Sequence, residues 1–306
     1  MEEFENLALN LLIVGSAVVL VPFLFVLIFS FIKFKSTKNI GLYIYALTSS
    51  MLIILGSFGF LREALAISED IYVGFNSSIQ TIIIMAIIVG GALFGIIASI
   101  LTRFVIIKKN SHIHQSHITH DHNDHIFNLR DIDNVKNKWS AIILLLNHRI
   151  IESLALGVLL VSHSHDGHSI TSGNGYEFPI ENLGFIIIFI VHMIPEAIFI
   201  YQRQIEMGIT RRRALINSFI MKLIIIPIAV FGAFVLQAIP NNLETGWILP
   251  FLFATTGSIL IFVSIIELVP EFIDNKNMSN KTWFTVIGFF TFGILFAITL
   301  SLLHIH

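Results

Sequence analysis

The stretch IILLLNHRIIESLALGVLLV, residues 142–161, is an apolar run that carries three ionisable side chains, His148, Arg149 and Glu152. A second run, LGFIIIFIVHMIPEAIFI at residues 183–200, carries His192 and Glu196. Each run has about 20 residues, and as a helix it spans a hydrocarbon core of roughly 30 Å. Ionisable groups at that depth are costly, so they are usually functional. The two stretches predict membrane-spanning helices with a polar site between them.

The rest of the chain has the same character. Its 306 residues are 55% hydrophobic and 12% charged, with a mean hydropathy of +0.85. No alternating strand pattern favours a barrel, so we predict an all-α integral membrane protein. Its eight transmembrane helices lie near 7–32, 40–61, 77–102, 140–162, 183–202, 214–238, 247–269 and 283–303.

Charge and cysteine content exclude some classes of function. The net charge of −2 gives no electrostatic reason to expect a nucleic-acid partner. The chain has no cysteine, which excludes disulfides and thiolate metal sites. Neither a P-loop nor any other nucleotide-binding motif is present, so any transport would use gradients.

Lysine and arginine predict the orientation, because positively charged loops face the cytosol. Alternate loops and helix ends hold fifteen such residues on one side against a single one, Arg62, on the other. Both termini are therefore expected outside the cytosol. The simplest location for such a protein is the cell membrane. The fifteen are Lys33, Lys35, Lys38, Arg103, Lys108, Lys109, Arg130, Lys136, Lys138, Arg203, Arg211, Arg212, Arg213, Lys276 and Lys281.

Three regions follow from this topology. Residues 1–105 hold the first three helices, 106–138 form a cytosolic His-rich loop predicted to be disordered, and 139–306 hold helices four to eight with the polar site. Histidine-rich tracts bind transition metals weakly. The candidates for metal binding in the loop are His112, His114, His117, His120, His122 and His125. A second cluster, in the outer loop after the fourth helix, is expected to concentrate cations and consists of His163, His165 and His168.

The central site is predicted to bind metal. Residues i and i+4 share one face of a helix, so His148 with Glu152, and His192 with Glu196, each point in one direction. Two such helices in contact offer two imidazole nitrogens and two carboxylates, a tetrahedral set suited to zinc. The alternative is that these groups bind only each other, as polar contacts between membrane helices.

The predicted helices contain four more charged residues, two basic and two acidic. Arg149 needs a counter-charge, with Glu152 and Glu196 as candidates; it is either a structural ion pair or an internal cation in the place of a second metal. Lys222 either pairs with a glutamate or, as we slightly favour, extends to the cytosol. Glu267 and Glu271 end the seventh helix and are either solvated carboxylates or an exit site for a cation.

This arrangement resembles the ZIP family of divalent-metal transporters. The helix count, the outside termini and the His-rich loop after the third helix agree with that family. The run from His148 to Gly157 resembles its fourth-helix signature, and His192-Met-Ile-Pro-Glu196 resembles its fifth-helix signature. Glu267-Leu-Val-Pro-Glu271 is similar to its seventh-helix ending. The resemblance also implies a homodimer.

Four positions depart from the family pattern. They are Arg149, Met193, Ile226 and Ile266, where relatives carry polar residues. In relatives with a two-metal centre such residues build the second metal position. The resemblance therefore implies a divergent member with one site, made by His148, Glu152, His192 and Glu196.

The sequence thus predicts a transporter and not an enzyme. A divalent cation, zinc first, with iron(II), manganese and cadmium as further candidates, would pass into the cytosol through this site. Imidazole ligands would select against magnesium. Two alternatives remain: a membrane-embedded zinc hydrolase and a metal-binding sensor that does not transport.

Overall fold

The apolar runs of the sequence form long helices in the computed structural model. It describes residues 2–32, 37–72, 76–111, 135–162, 169–171, 177–179, 183–238, 246–273 and 278–302. Eleven α-helices and two π-helical segments lie in these ranges. They are α1 Glu2–Phe31, α2 Thr37–Ile54, π1 Leu55–Leu61, α3 Arg62–Ile71, α4 Ser77–Ser111, α5 Val135–Ser162, α6 Leu183–Glu206, α7 Arg211–Leu223, α8 Ile225–Ala238, α9 Ile248–Val263, π2 Ser264–Leu268, α10 Val269–Ile273 and α11 Asn280–Leu302.

The prediction of a helical membrane protein is confirmed. Seven of the described spans are long and apolar enough to cross a membrane; they are Leu9–Phe31, Asn39–Ile71, Ser77–Val105, Trp139–Leu160, Arg211–Phe234, Ile248–Ile273 and Asn280–Leu302. The remaining predicted helix corresponds to α6, whose 24 residues extend over about 36 Å at 1.5 Å per residue. The chain is an integral membrane protein built as a helix bundle.

Several predicted boundaries were wrong. The second span continues through Arg62 to Ile71, because α3 is amphipathic: Ala64 and Ser68, four residues apart, are buried while charged neighbours face outward. The sixth helix is two helices, α7 and α8, which meet at Ile224. Pro227 explains that break, since its nitrogen cannot donate to the carbonyl of residue 223.

Both ends of the predicted loop 106–138 are helical, because α4 runs to Ser111 and α5 starts at Val135. A two-stranded antiparallel hairpin was not predicted at all. Its strands β1, Ser169–Thr171, and β2, Glu177–Pro179, pair with Ser169 opposite Pro179. The hairpin lies in the connection between α5 and α6, the helices that carry the predicted site.

The helices pack as two sets. In the first set α5 packs along α8, and α1 packs against α6, α7 and α8. In the second set α4 lies along α9, α11 along α2, and π1 against α9. The two sets meet where α5 contacts α9 and where α2 contacts α6. The first set therefore presents α5 and α6, with their ionisable residues, to the second.

Close packing of α5 against α8 depends on glycine. A Cβ placed at Gly232 would lie 2.5 Å from the carbonyl oxygen of Leu154 and 3.2 Å from its Cα. A Cβ at Gly157 would collide with the backbone of Ala229 in the same interface. Small residues at such contacts let two membrane helices approach backbone to backbone.

We expect Gly232→Ala to destabilise the bundle, because α8 would have to move away from α5. Overpacking of this kind costs about 1–3 kcal/mol. Gly288→Ala is the matched control, since nothing lies within 4 Å of a Cβ there; it should be neutral or slightly stabilising because alanine favours helix. Reversible unfolding in mixed micelles measures both. Equal stabilities of the two variants would contradict the close approach of α5 and α8.

Candidate metal centre

Three side chains from α5 and α6 converge at the centre of the bundle. His148 Nε2 lies 3.2 Å from Glu152 Oε2, and His192 Nε2 lies 2.6 Å from Glu152 Oε1. All three side chains are at most 1% exposed. Within the described part of the chain, they are the only group of three or more potential metal ligands whose atoms lie within 4.8 Å of one another.

Helix geometry explains the convergence. His148 and Glu152 are one turn apart on α5 and therefore share a face. The imidazole of His192 comes from α6, which is continuous through Pro195. Glu152 thus lies between the two imidazoles and contacts one with each carboxylate oxygen. The contact joins the helices through ionisable groups near the middle of the span Trp139–Leu160.

The group is compact enough to hold a metal ion, because one ligand atom from each residue lies within 4.8 Å of the others. Zinc bonds to nitrogen and oxygen are about 2.0–2.1 Å long, so ligand atoms at tetrahedral angles lie about 3.3 Å apart. The 3.2 Å and 2.6 Å separations run to different oxygens of Glu152, so the side chains would have to rearrange around a bound ion. Two imidazoles and one carboxylate are a donor set typical of zinc with one open position.

The fourth predicted ligand, Glu196, lies outside this group. Its Oε1 is 3.0 Å from Arg149 Nη2, with both side chains at most 2% exposed. The counter-charge expected for Arg149 is therefore Glu196, across the interface between α5 and α6. The structure brings together three of the four predicted ligands and holds the fourth in an ion pair.

Lys222 does not extend to the cytosol, and that prediction was wrong. The residue is 2% exposed, and its Nζ is buried without a hydrogen-bond partner among the described residues. The charges that act on it are those of Arg149, Glu196 and Glu152. Lys222 therefore lies inside the bundle, within the electrostatic range of the charged residues of the central site.

Three phenylalanines surround the imidazoles. The ring of Phe60, from π1, meets His192 edge to face at a centroid distance of 5.9 Å and His148 at 6.5 Å. Phe189 lies 5.5 Å from His192, and Phe253 lies 5.9 Å from Phe60. The ionisable triad thus sits in an aromatic, low-dielectric environment where electrostatic interactions are strong.

The carboxylates that end the seventh span are bound by arginines and are not solvated. Glu267 Oε1 lies 3.2 Å from Arg103 Nε, and its side chain is 6% exposed. Glu271 accepts a hydrogen bond from Arg203, whose guanidinium also lies 5.3 Å from the centre of the Tyr45 ring. These groups form ion pairs that link α10 and π2 to α6 and α4.

Arg203 belongs to a polar network that joins both helix sets. Tyr45 of α2 donates its hydroxyl proton to Glu206 of α6, and Arg203 donates to Tyr45 at 3.3 Å. A separate hydrogen bond joins Asn147 of α5 to Thr102 of α4 at 2.6 Å, with the Asn147 amide as donor. The Asn147 side chain therefore faces α4. The sequence did not predict these hydrogen bonds; it assigned Arg203 only to the cytosolic side of the membrane.

Several predicted metal-binding residues lie outside the described residues. They are His112, His114, His117, His120, His122, His125, His163, His165 and His168. Met193, one of the four positions that depart from the family pattern, is fully buried.

No protein-family model matches the chain, and no curated protein compared with it matches either. The class that the fold and the buried triad define is a helical membrane protein with a candidate cation site.

We expect Arg149 and Glu196 to depend on each other for stability. Removing one partner of a buried ion pair leaves an uncompensated charge and costs about 3–5 kcal/mol. Arg149→Gln and Glu196→Gln should each destabilise the bundle to this degree, while the double variant should recover much of the loss. Unfolding in mixed micelles completes the double-mutant cycle. Additive losses in the double variant would show that the two groups do not interact.

Proposed function

We propose that this protein conducts a divalent cation, zinc first, across the membrane into the cytosol, with His148, Glu152 and His192 as its binding site. The observation that carries the proposal is the buried His–Glu–His group near the middle of a membrane span. Intramembrane ionisable residues typically mark an ion pathway. The resemblance to the ZIP family supports the same reading.

The position of the site between two helix sets supports transport over simple storage. The triad lies on α5 and α6, and its aromatic neighbour Phe60 comes from the opposite set. Sliding of one set along the other would expose the triad first to one side and then to the other. The Tyr45–Glu206 and Arg203–Glu271 contacts would break in that movement, because each joins the two sets.

Arg149 offers a reason for a single metal. Its guanidinium is 3.0 Å from Glu196, where it neutralises the carboxylate that would otherwise be free for a second cation. A fixed positive charge also repels an incoming metal, which favours release over tight retention. We therefore propose one transported cation per site, with Arg149 in the electrostatic role of a second metal.

A membrane-embedded zinc hydrolase is the second candidate, and one observation favours it. Only three ligands converge, and catalytic zinc sites keep three protein ligands with an open position for water. The aromatic surroundings of the triad argue for a closed, dry environment instead. The experiment below separates both candidates from a sensor that binds metal without moving it.

We expect His192→Ala to abolish zinc entry into proteoliposomes that contain a zinc dye. The substitution removes a nitrogen ligand that lies 2.6 Å from Glu152 and is 1% exposed. His114→Ala is the matched control, because that histidine lies in the predicted cytosolic loop. Stoichiometric zinc titration of both variants should show loss of one tight site in the first only.

Two outcomes of this assay would contradict transport, and a third would contradict the assignment of the triad. Zinc binding without flux in the unaltered protein would favour the sensor. Zinc-dependent cleavage of lipid or peptide without flux would favour the hydrolase. Normal flux in the His192→Ala variant would exclude the triad from the pathway.

We expect acid on the loading side to slow zinc capture. A metal-binding histidine must be neutral and a metal-binding glutamate ionised, so protons compete with the cation. Initial flux should therefore fall as the outer pH is lowered from about 8 to about 5, the range in which histidine usually titrates. The check is a series of initial rates at fixed free zinc. A flat profile would argue against a site with two imidazoles.

A further inference from the structure

We propose that Phe60 is a positioning residue for the imidazole pair: its ring holds His148 and His192 around Glu152 and keeps water from the open position of the metal. This inference rests on the proposed metal site and adds a residue from the opposite helix set. It also implies that metal affinity depends on how the two sets pack.

The first support is the geometry of the ring. Phe60 is 4% exposed and meets both imidazoles nearly at right angles, with interplanar angles of 85° to His148 and 84° to His192. Edge-to-face pairs with centroids 4.5–7 Å apart are attractive and have a preferred orientation. A single ring therefore restrains both imidazoles.

The second support is that the ring comes from the helix set that does not carry the ligands. His148, Glu152 and His192 lie on α5 and α6, whereas Phe60 lies on π1 between α2 and α3. Short π-helical segments within longer helices often occur at functional sites. The aromatic side of the site is complete only while the Phe60 ring stays against His148 and His192, so a shift between the sets would loosen the imidazoles.

The third support is the close contact that places π1. Gly56 and Gly257 face each other, and a Cβ at Gly56 would lie 2.8 Å from the carbonyl oxygen of Gly257. A Cβ at Gly257 would lie 3.2 Å from the Cβ of Phe60. The two glycines let π1 approach α9 backbone to backbone, and this contact fixes the position of Phe60 one turn later.

The outer environment of a metal site controls solvent access and ligand orientation. Without the Phe60 ring, the imidazoles gain freedom and water reaches the fourth and fifth positions of the metal. The bound cation would then change from a low-coordinate state held by the three side chains to a more highly hydrated state. That change in coordination separates positioning from a general loss of stability.

The experiment uses the purified full-length protein in lipid nanodiscs, with Co²⁺ as a spectroscopic probe for zinc. Phe60→Leu removes the ring and keeps an apolar side chain, and Phe60→Tyr keeps the ring. Gly56→Ala displaces π1 without touching Phe60. Two matched controls are Phe272→Leu, a phenylalanine 5% exposed that packs on Phe290, and Gly59→Ala, whose Cβ would meet only Leu55 side-chain atoms, at 3.8 Å.

We expect Phe60→Leu and Gly56→Ala to weaken the visible d–d bands of bound Co²⁺ and to raise the zinc Kd by about tenfold or more. Phe60→Tyr, Phe272→Leu and Gly59→Ala should keep the spectrum and the Kd of the unaltered protein. The Gly56→Ala result tests placement of the ring independently, so a folding defect in one variant does not decide the outcome.

Two results would overturn the proposal in distinguishable ways. If the unaltered protein binds neither Co²⁺ nor zinc in the bilayer, both the proposed function and the proposed role of Phe60 are wrong. If it binds both, and Phe60→Leu keeps the same spectrum and Kd, the metal site stands and Phe60 is a packing residue only.

Discussion

The burial of two carboxylates in a low-dielectric interior constrains the whole centre of this bundle. Glu152 and Glu196 are fully buried, and an ionised carboxylate in such surroundings is tolerated only when paired. Glu152 contacts two imidazoles and Glu196 pairs with Arg149. These contacts determine how α5 and α6 face one another, because each compensating group comes from a defined helix position.

Much of the architecture follows from local sequence. A helix of about 20 apolar residues is long enough to span a bilayer, so these helices are predictable from length and composition. The sequence also limited the counter-charge of Arg149 to two candidates, Glu152 and Glu196, of which the structure has Glu196. The break at Ile224 and the extension to Ile71 were missed because Pro227 and the amphipathic pattern of α3 act over only a turn or two. The two short strands were missed because three residues each are too few to show an alternating pattern.

The candidate site was predictable in part. The i, i+4 spacing places His148 beside Glu152 on one face, and that pair lies as expected. The i, i+4 spacing carries no information about how α6 is rotated relative to α5. In the observed rotation, Glu196 pairs with Arg149 and does not join the triad. Lys222 was assigned outward because a lone lysine in a membrane helix is least costly near water, yet its side chain is buried inside the bundle. Phe60 was missed because it comes from a helix distant in sequence from the triad. Gly56 and Gly257 allow the close contact that places it, but glycine alone does not indicate which helices meet.

The charge balance of the centre has an electrical consequence for the proposed transport. Arg149 neutralises Glu196 within the centre, so this pair adds no net charge to a cation that would cross the membrane. A divalent metal ion carries two elementary charges. Moving one elementary charge through a potential of 100 mV is worth about 2.3 kcal/mol, so a divalent cation crossing the full field would gain about twice that. An interior-negative membrane would then drive uptake by voltage alone, and each cycle would register as an inward current.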